Sequence, residues 1–304
     1  MVSKEKYKVI GLMSGTSLDG LDIASCTFIK NEKHWKYQID QAVTIKYPPS
    51  WLEKLSQAHT LSAEDLLALD VAYGKYLGKV SLDFIRKHKL KIDFVASHGH
   101  TIFHQPKRSF TYQIGNGNAL FAAIGLPVVY DFRSLDVMLG GQGAPLVPAG
   151  DKFLFSDFDV CLNLGGIANL SMDIKGQRHA YDICFSNMGL NYLASQAGKD
   201  YDAFGDMAAE GELNKVLLRD LNKVYKTFRI KRPSLGREIF ENRIKPLLDQ
   251  KKIPLHDRLR TFTESAAQEI VLALMSGKKN PKVLCTGGGA FNSFLIARML
   301  DLCG

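Results

Sequence analysis

The chain has no stretch of the eighteen or so consecutive apolar residues that a membrane-spanning helix needs. Its opening carries Lys4, Glu5, Lys6 and Lys8 with no apolar run behind them. Neither membrane insertion nor secretion is expected, and the cytoplasm is the expected compartment. Cysteine is scarce and unpatterned: the five cysteines (Cys26, Cys161, Cys184, Cys285, Cys303) are odd in number and none falls in a CxxC pair. Neither a zinc site nor a disulfide scaffold is therefore indicated. The basic residues lack the interleaved aromatic stripe of a nucleic-acid surface. Although 39 Lys+Arg against 31 Asp+Glu leave a net charge of +8, the excess sits in short groups near expected helix ends, such as Arg86 to Lys91 and Lys226 to Arg232. There cations complement the helix dipole and face solvent. No nucleic-acid partner is expected.

What is present is a globular composition, with 46% hydrophobic and 23% charged residues in 304 and a mean hydropathy of -0.08. That length exceeds what one hydrophobic core usually supports, so two domains are expected. Strand-like runs cover Tyr7 to Met13, Leu21 to Ile29 and Trp35 to Ile45. A helix is expected from Ser62, which with Asp65 reads as an N-cap signal, to about Lys89. Apolar strands follow at Ile92 to Ser97 and Pro127 to Tyr130. The second half restates the opening with strands at Asp159 to Leu164, Ile167 to Met172 and about His179 to Cys184. Helices are expected at Glu210 to Lys226, Leu235 to Asp249 and Leu259 to Met275, and a last strand at Lys282 to Cys285. The expected architecture is mixed α/β and duplicated, with a ligand between two halves: residues 1–148 and 149–304, divided near the prolines of Leu146 to Asp151.

Three glycine-rich turns follow buried-type strands. The first runs Gly11-Leu-Met-Ser-Gly-Thr-Ser-Leu-Asp-Gly20 to Asp22; its glycines admit close backbone approach, and Ser14, Thr16 and Ser17 add hydroxyl donors. Asp19 or Asp22 suits a hydrated Mg²⁺ facing phosphates. An ordinary hairpin turn uses the same residue types, and the segment is neither a Walker A loop nor a GxGxxG fingerprint. The second turn is Asn163-Leu-Gly-Gly-Ile-Ala-Asn169. The third is Thr286-Gly-Gly-Gly-Ala-Phe-Asn292, expected to open a helix whose N-terminus favours negative charge. Together they read as phosphate and nucleotide contacts from two domains. Polar clusters mark other expected strand ends: Ser97-His-Gly-His-Thr101, Asp131-Phe-Arg-Ser-Leu-Asp136, and Gly140 to Pro148. Zinc ligation by His98, His100 and His104 lacks a carboxylate or thiolate at ligand spacing. Arg133 reads equally as an ion-pair partner of Asp131 or Asp136. Asp182, expected at a strand end, is a general base or a helix N-cap.

The three turns, together with Ser97 to Thr101, Tyr130 to Asp136 and Gly140-Gly-Gln-Gly-Ala-Pro-Leu-Val-Pro148, resemble the anhydro-N-acetylmuramic acid kinase family from residue 8 onward. The resemblance implies two ribonuclease-H-like domains of the actin-like ATPase type, with mixed sheets flanked by helices and a cleft between them. It implies an enzyme that uses ATP, Mg²⁺ and water to open the anhydro bridge of an anhydro-amino sugar while phosphorylating the oxygen released. Carried over, Gly15, Thr16, Ser17, Leu18, Asp19, Gly20, Leu21 and Asp22 form the first phosphate loop, and Asp19 holds Mg²⁺ through water. Gly165, Gly166 and Asn169 form the second loop, and Gly287, Gly288 and Gly289 contact adenosine. Asp182 matches the base that activates the attacking water; His98, Thr101 and Arg133 fall on the sugar side. A homodimer is also implied.

Two departures from the family pattern stand out. Asp-Thr-Gly-Pro-Gly-Asn becomes Asp182-Ile-Cys-Phe-Ser-Asn187, and the sequence stops soon after the adenosine motif. The second domain is thus expected to lack a final layer. The alternatives are a kinase of another sugar or hydroxy acid, and a truncated nucleotide-binding protein without turnover.

Overall fold

The computed structural model describes residues 5–15, 18–31, 34–144 and 146–304. The chain separates into two compact units, Met1–Leu154 and Phe155–Gly304. This division lies beyond the expected boundary between residues 148 and 149, because Leu146–Leu154 is a helix and not a linker. Pro148 is tolerated there since the first-turn N–H groups of a helix have no intrahelical acceptor to lose. Pro145 lies outside the described residues.

In the first unit, β1 (Lys6–Ser14), β2 (Leu21–Lys30) and β3 (Trp35–Ile45) form an antiparallel meander. The helix Ala63–His88 then returns the chain to β4 (Phe94–Gln105), which lies parallel to β1. Ser62 caps that helix by accepting from the Asp65 N–H, as its sequence signal implies. Beyond β4 come β5 (Phe110–Ile114), antiparallel to it, the helix Gly117–Ile124, and β6 (Val128–Val129), parallel to β4. The core forms where Ile10, Leu12, Leu21 and Ile23 meet Leu69, Tyr73, Leu77 and Phe84, a stripe at helical spacing. On the opposite face Tyr7, Phe28, Trp35 and Phe94 line an apolar cavity of about 470 Å³ with Phe153 and Leu154.

The cluster Ser97 to Thr101, expected at a strand end, lies inside β4. The strand passes through it by bending at Gly99, whose φ of +72° places its α-carbon where a Cβ would come within 2.5 Å of the Ile114 carbonyl oxygen. Along one edge β4 pairs with β1 on both sides of the bend, while its other edge pairs with β6 before it and with β5 after it, an element with no counterpart in the expected layout.

The second unit repeats the plan. β7 (Val160–Leu164), β8 (Ile167–Ile174) and β9 (Gln177–Phe185) form the meander, and β10 (Val283–Thr286) lies parallel to β7, giving the order β10-β7-β8-β9. Helices Lys215–Lys231, Leu255–Leu274 and Ser293–Cys303 supply apolar faces to a core around Leu162, Ala168, Phe185, Tyr225 and Phe262. The helix expected at Leu235 to Asp249 is interrupted by a π turn at Phe240–Ile244. Pro246 in the following turn has no N–H to give and crowds the carbonyl four residues back, which the wider turn relieves.

Candidate functional site

In the first unit the turn between β1 and β2 begins at Ser14, the last residue of β1. Leu18 donates its N–H to the Gly15 carbonyl and takes a φ of +62°. Asp19 is exposed, Leu21 is buried, and Gly20 lies against the Ile45 carbonyl with no space for a side chain. Thr16 and Ser17 lie outside the described residues. Asp22 is exposed on β2 and accepts a hydrogen bond from the Thr44 hydroxyl. Ser14, read from the sequence as a donor for phosphate, is instead buried and bonded internally: its Oγ lies 2.9 Å from His100 Nδ1 and accepts from Tyr47 OH at 2.7 Å.

The three polar clusters of this unit meet. Arg133 donates from Nε to His98 Nε2 at 2.8 Å and from Nη1 to the Gly143 carbonyl at 2.7 Å. Gly143 in turn donates its N–H to Asp136 Oδ2 at 2.6 Å. These two guanidinium donors serve His98 and Gly143, not Asp131 or Asp136 as the ion-pair reading expects. Since His98 Nδ1 lies 2.9 Å from the Gly99 carbonyl, which only accepts, Nδ1 carries the proton and Nε2 the lone pair. Burial lowers the His98 pKa, opposed by the Gly99 carbonyl and aided by the Arg133 charge. His98 is thus a neutral imidazole that orients Arg133. Thr101 lies half-buried on the same strand, opposite Gln113.

In the second unit the Gly165–Gly166 turn is held by the segment after β9. Ser186 and Met188 donate their N–H groups to the Gly166 carbonyl, Asn187 donates its N–H to Gly165, and Asn187 Nδ2 donates to the Leu164 carbonyl. The third glycine run packs onto the same turn. A Cβ on Gly287 (φ +83°) would lie 2.6 Å from Asn163 Oδ1 and 2.8 Å from the Leu164 carbonyl carbon, and one on Gly289 would lie 2.8 Å from Leu164 Cβ. Gly287 and Gly288 stay exposed. The expected helix N-terminus is displaced, however. Gly288–Phe291 is a 3-10 turn, and the helix begins at Ser293, capped by Asn292 Oδ1 accepting from the Leu295 N–H at 2.9 Å. Asn169 lies on β8 opposite Asp182.

Asp182 sits within β9, not at a strand end, and it caps no helix. Its Oδ2 accepts from the Leu235 N–H at 2.8 Å. It shares a cavity of about 100 Å³ with Arg229, Arg232 and Glu269. Burial raises its pKa and the Leu235 N–H pulls it back down, leaving a net rise. A carboxylate made more basic in this way is a better proton acceptor near neutral pH. Where the resemblance leads one to expect a flexible Gly-Pro-Gly, Cys184 and Phe185 continue the strand and are fully buried in it.

Residues 7–304 match the family model described as anhydro-N-acetylmuramic acid kinase. The chain belongs to the anhydro-N-acetylmuramic acid kinase family. Relatives bearing that name include one from Sulfurimonas denitrificans, 33% identical over 97% of this chain and 84% of its own. Others are from Pasteurella multocida, 35% identical over 96% and 81%, and from Coxiella burnetii, 36% identical over 99% and 83%. Among solved structures, component A of (R)-2-hydroxyglutaryl-CoA dehydratase from Acidaminococcus fermentans aligns over 97% of this chain and 88% of its own, at 15% identity and a TM-score of 0.43.

Within this anhydro-N-acetylmuramic acid kinase family member, the site contains residues that motif reading leaves out. Tyr47 and Tyr73 lie in no glycine-rich or polar cluster; the one available signal is that each is an aromatic with a hydroxyl in an otherwise apolar stretch. Asn187 was visible as the last residue of the altered segment but not as the clamp on the Gly165–Gly166 turn. Among the described residues no group of three or more His, Cys, Asp or Glu side chains is placed to hold a metal. The fit for Mg²⁺ therefore rests on the exposed carboxylates of the first turn, Asp19 and, bonded to Thr44, Asp22, which suit an ion that keeps most of its waters. No helix among the described residues is long and apolar enough to cross a membrane.

Proposed function

We propose that the chain is an ATP-dependent kinase of 1,6-anhydro-N-acetylmuramic acid, acting in cell-wall recycling and releasing N-acetylmuramic acid 6-phosphate and ADP. The observation that carries this reading is the family match over residues 7–304, a range that contains both hairpin glycine turns and the third glycine run. In this reading Asp182 takes a proton from water as the water oxygen bonds to the anomeric carbon. The bond from that carbon to the bridging oxygen breaks, and the freed oxygen takes the γ-phosphoryl group as its bond to ADP breaks. The turn Gly15 to Asp22 and the turn Gly165–Gly166 with Asn169 bind phosphates through backbone N–H groups, and Gly287 to Gly289 accept adenosine against bare backbone. Asp19 holds Mg²⁺ through water, and the ion's chemistry there is to neutralise charge on the transferring phosphoryl group. Thr101 and Arg133 bind the sugar, and His98, both of whose ring nitrogens are already engaged, serves the sugar side by orienting Arg133. A cytoplasmic homodimer completes the proposal.

The test is incubation with ATP, Mg²⁺ and the anhydro sugar, reading product by mass. Addition of both phosphate and water supports the coupled reaction. Phosphate without water overturns the role of Asp182. Nucleotide binding without any product favours a nucleotide-binding protein in which Asp182, held by Leu235, does no chemistry.

A further inference from the structure

Ser14 and His100 face each other across the parallel β1–β4 register, and their side chains belong to a longer chain of hydroxyls. Tyr73 OH lies 2.7 Å from Tyr47 OH, Tyr47 OH donates to Ser14 Oγ at 2.7 Å, and Ser14 Oγ lies 2.9 Å from His100 Nδ1. All four residues are buried. Each hydroxyl has one proton to give. Because Tyr47 gives its proton to Ser14, the proton between the two tyrosines is Tyr73's, and the Ser14 proton is left for an acceptor at the far end. One direction satisfies every member: Tyr73 to Tyr47, Tyr47 to Ser14, Ser14 to His100 Nδ1. His100 is thereby the Nε2–H tautomer. The anchor is rigid, since Tyr73 packs against Trp51 at 5.3 Å and stacks on Tyr76 at 6.0 Å between ring centroids.

We propose that His100 is a positioning residue for the first glycine-rich turn: through Ser14 it fixes the point where β1 ends and the backbone that meets the nucleotide begins. This rests on the reading that the turn binds ATP phosphates. Ser14 then contributes no hydroxyl to phosphate. Its role is to hold the next residue, Gly15, whose carbonyl accepts the Leu18 N–H. A turn fixed before the ligand arrives loses less freedom on binding. The family motif names the glycines of this turn, whereas the device that aims them comes from a strand some eighty residues later and from two tyrosines outside any motif.

The test compares His100→Asn, His100→Leu and Tyr47→Phe. The side-chain amide oxygen of Asn sits where Nδ1 sits in histidine and still accepts from Ser14, while Leu accepts nothing. Without ligand, hydrogen exchange of the Leu18 amide is expected to rise roughly tenfold or more in His100→Leu and to stay near wild type in His100→Asn. With a nonhydrolysable ATP analogue, calorimetry is expected to give about tenfold weaker binding for His100→Leu and a change under about threefold for His100→Asn. Tyr47→Phe falls between them, and the double variant Tyr47→Phe/His100→Leu is no worse than His100→Leu. Nitrogen-15 ring correlations are expected to show His100 protonated at Nε2 at neutral pH. Equal losses in the Asn and Leu variants, or wild-type exchange and binding in all of them, overturn the proposal. A wild-type protein that binds no nucleotide overturns the kinase reading instead, and the exchange and ring-nitrogen measurements still decide whether His100 holds the turn.

Discussion

The two units place one strand plan under different chemistry. In each, an antiparallel meander is followed by a strand parallel to the first, so that β1 corresponds to β7 and β4 to β10. In each, the end of the first strand lies beside the added strand: Ser14 opposite His100 within β4, and Asn163 opposite Thr286, the last residue of β10. The first unit fills that position with side chains: Ser14 meets His100, and His98 meets Arg133. The second fills it with backbone, as Gly287 and Gly289 approach Asn163 and Leu164 too closely for any Cβ. A duplicated sheet supplies the same location twice, and the residues there decide what it can meet. In the first unit those side chains are bonded to one another and to backbone, which fixes the turn beside them, whereas the bare backbone of the second suits the close approach of phosphates and an adenosine.

The largest effect that this contrast predicts is at Asp182, the one candidate base in the backbone-lined unit. Asp182→Asn keeps the Leu235 contact through its amide oxygen but cannot take a proton. Product formation is expected to fall by about two to four orders of magnitude while nucleotide affinity is kept, measured by mass-detected turnover and calorimetry. Unchanged turnover would remove Asp182 from the reaction.

Next in size are the glycines. Gly287→Val adds a side chain at φ +83° and within 2.6 Å of Asn163 Oδ1, so a stability loss of about 2–4 kcal/mol and a nucleotide affinity at least about tenfold lower are expected. Gly166→Ala separates folding from binding. The nearest neighbour of its added methyl group is Met188, at 3.8 Å. Its stability should stay within about 0.5 kcal/mol of wild type. If phosphate approaches the Gly166 backbone, binding nonetheless weakens about tenfold. Wild-type affinity in Gly166→Ala would show that this glycine serves the turn and not the ligand.

Acid sharpens the contrast further, because imidazoles lie beside the end of the first strand in the first unit only. Burial, with a smaller contribution from His98, lowers the His100 pKa from 6.5 to about 4. Between those values the unfolded chain takes up a proton that the folded chain refuses. The contribution of His100 is complete above about pH 6.5 and is lost as pH falls toward 4, amounting to up to about 3 kcal/mol. In the second unit, burial raises the pKa of Glu264, but hydrogen bonds from Arg298 and Arg260 outweigh it and leave a net lowering. Its contribution is complete above the ordinary carboxylate pKa and disappears only as pH falls below that. The two tryptophans, Trp35 and Trp51, both lie in the first unit. Their fluorescence in mild denaturant is therefore expected to report loss of structure between about pH 6 and 4.5, a dependence that His100→Asn weakens but does not remove, because burial also lowers the pKa of His98 and His104. A signal flat to pH 4.5 would place His100 in a less buried setting.

Much of this arrangement was legible in the sequence, and the part that was not has identifiable physical causes. Apolar and β-branched runs bounded by turn residues marked the strands of both meanders, and glycine in turn-like runs marked both hairpin tips. The cluster around His98 was misplaced because a glycine next to polar residues ordinarily ends a strand, whereas Gly99 bends β4 and lets it change partners. Asp182 was read as a strand end because an acidic residue is a poor strand former and a common helix cap, whereas β9 runs from Gln177 to Phe185 on both sides of it. Tyr47 and Tyr73 carry no motif at all. Their role depends on hydrogen bonds between residues distant in sequence, which neither periodicity nor spacing encodes.

The smallest predicted effect compares the asparagine caps of the two units. Asn292 accepts from the Leu295 N–H at the start of the helix after the third glycine run, and Asn116 accepts from the Ala119 N–H at 3.0 Å in the first unit. Both hold an otherwise unpaired helix donor, so replacement by Ala is expected to cost about 1 kcal/mol at either site. Asn116 does a second job. Its Nδ2 donates at 3.1 Å to Oδ2 of Asp70, a buried carboxylate whose Oδ1 accepts from the Gly115 N–H at 2.7 Å. Asn116→Ala leaves that carboxylate short of a donor where water has little access, and the added cost is about 1–2 kcal/mol. Urea unfolding should therefore rank Asn116→Ala below Asn292→Ala by roughly that difference. Asn116→Asp, which keeps the cap but sets a second carboxylate beside Asp70, should be no better than Asn116→Ala at neutral pH. Equal losses for the two alanine variants would mean that Gly115 alone suffices for Asp70, and that the caps, unlike the glycine turns, are interchangeable between the units.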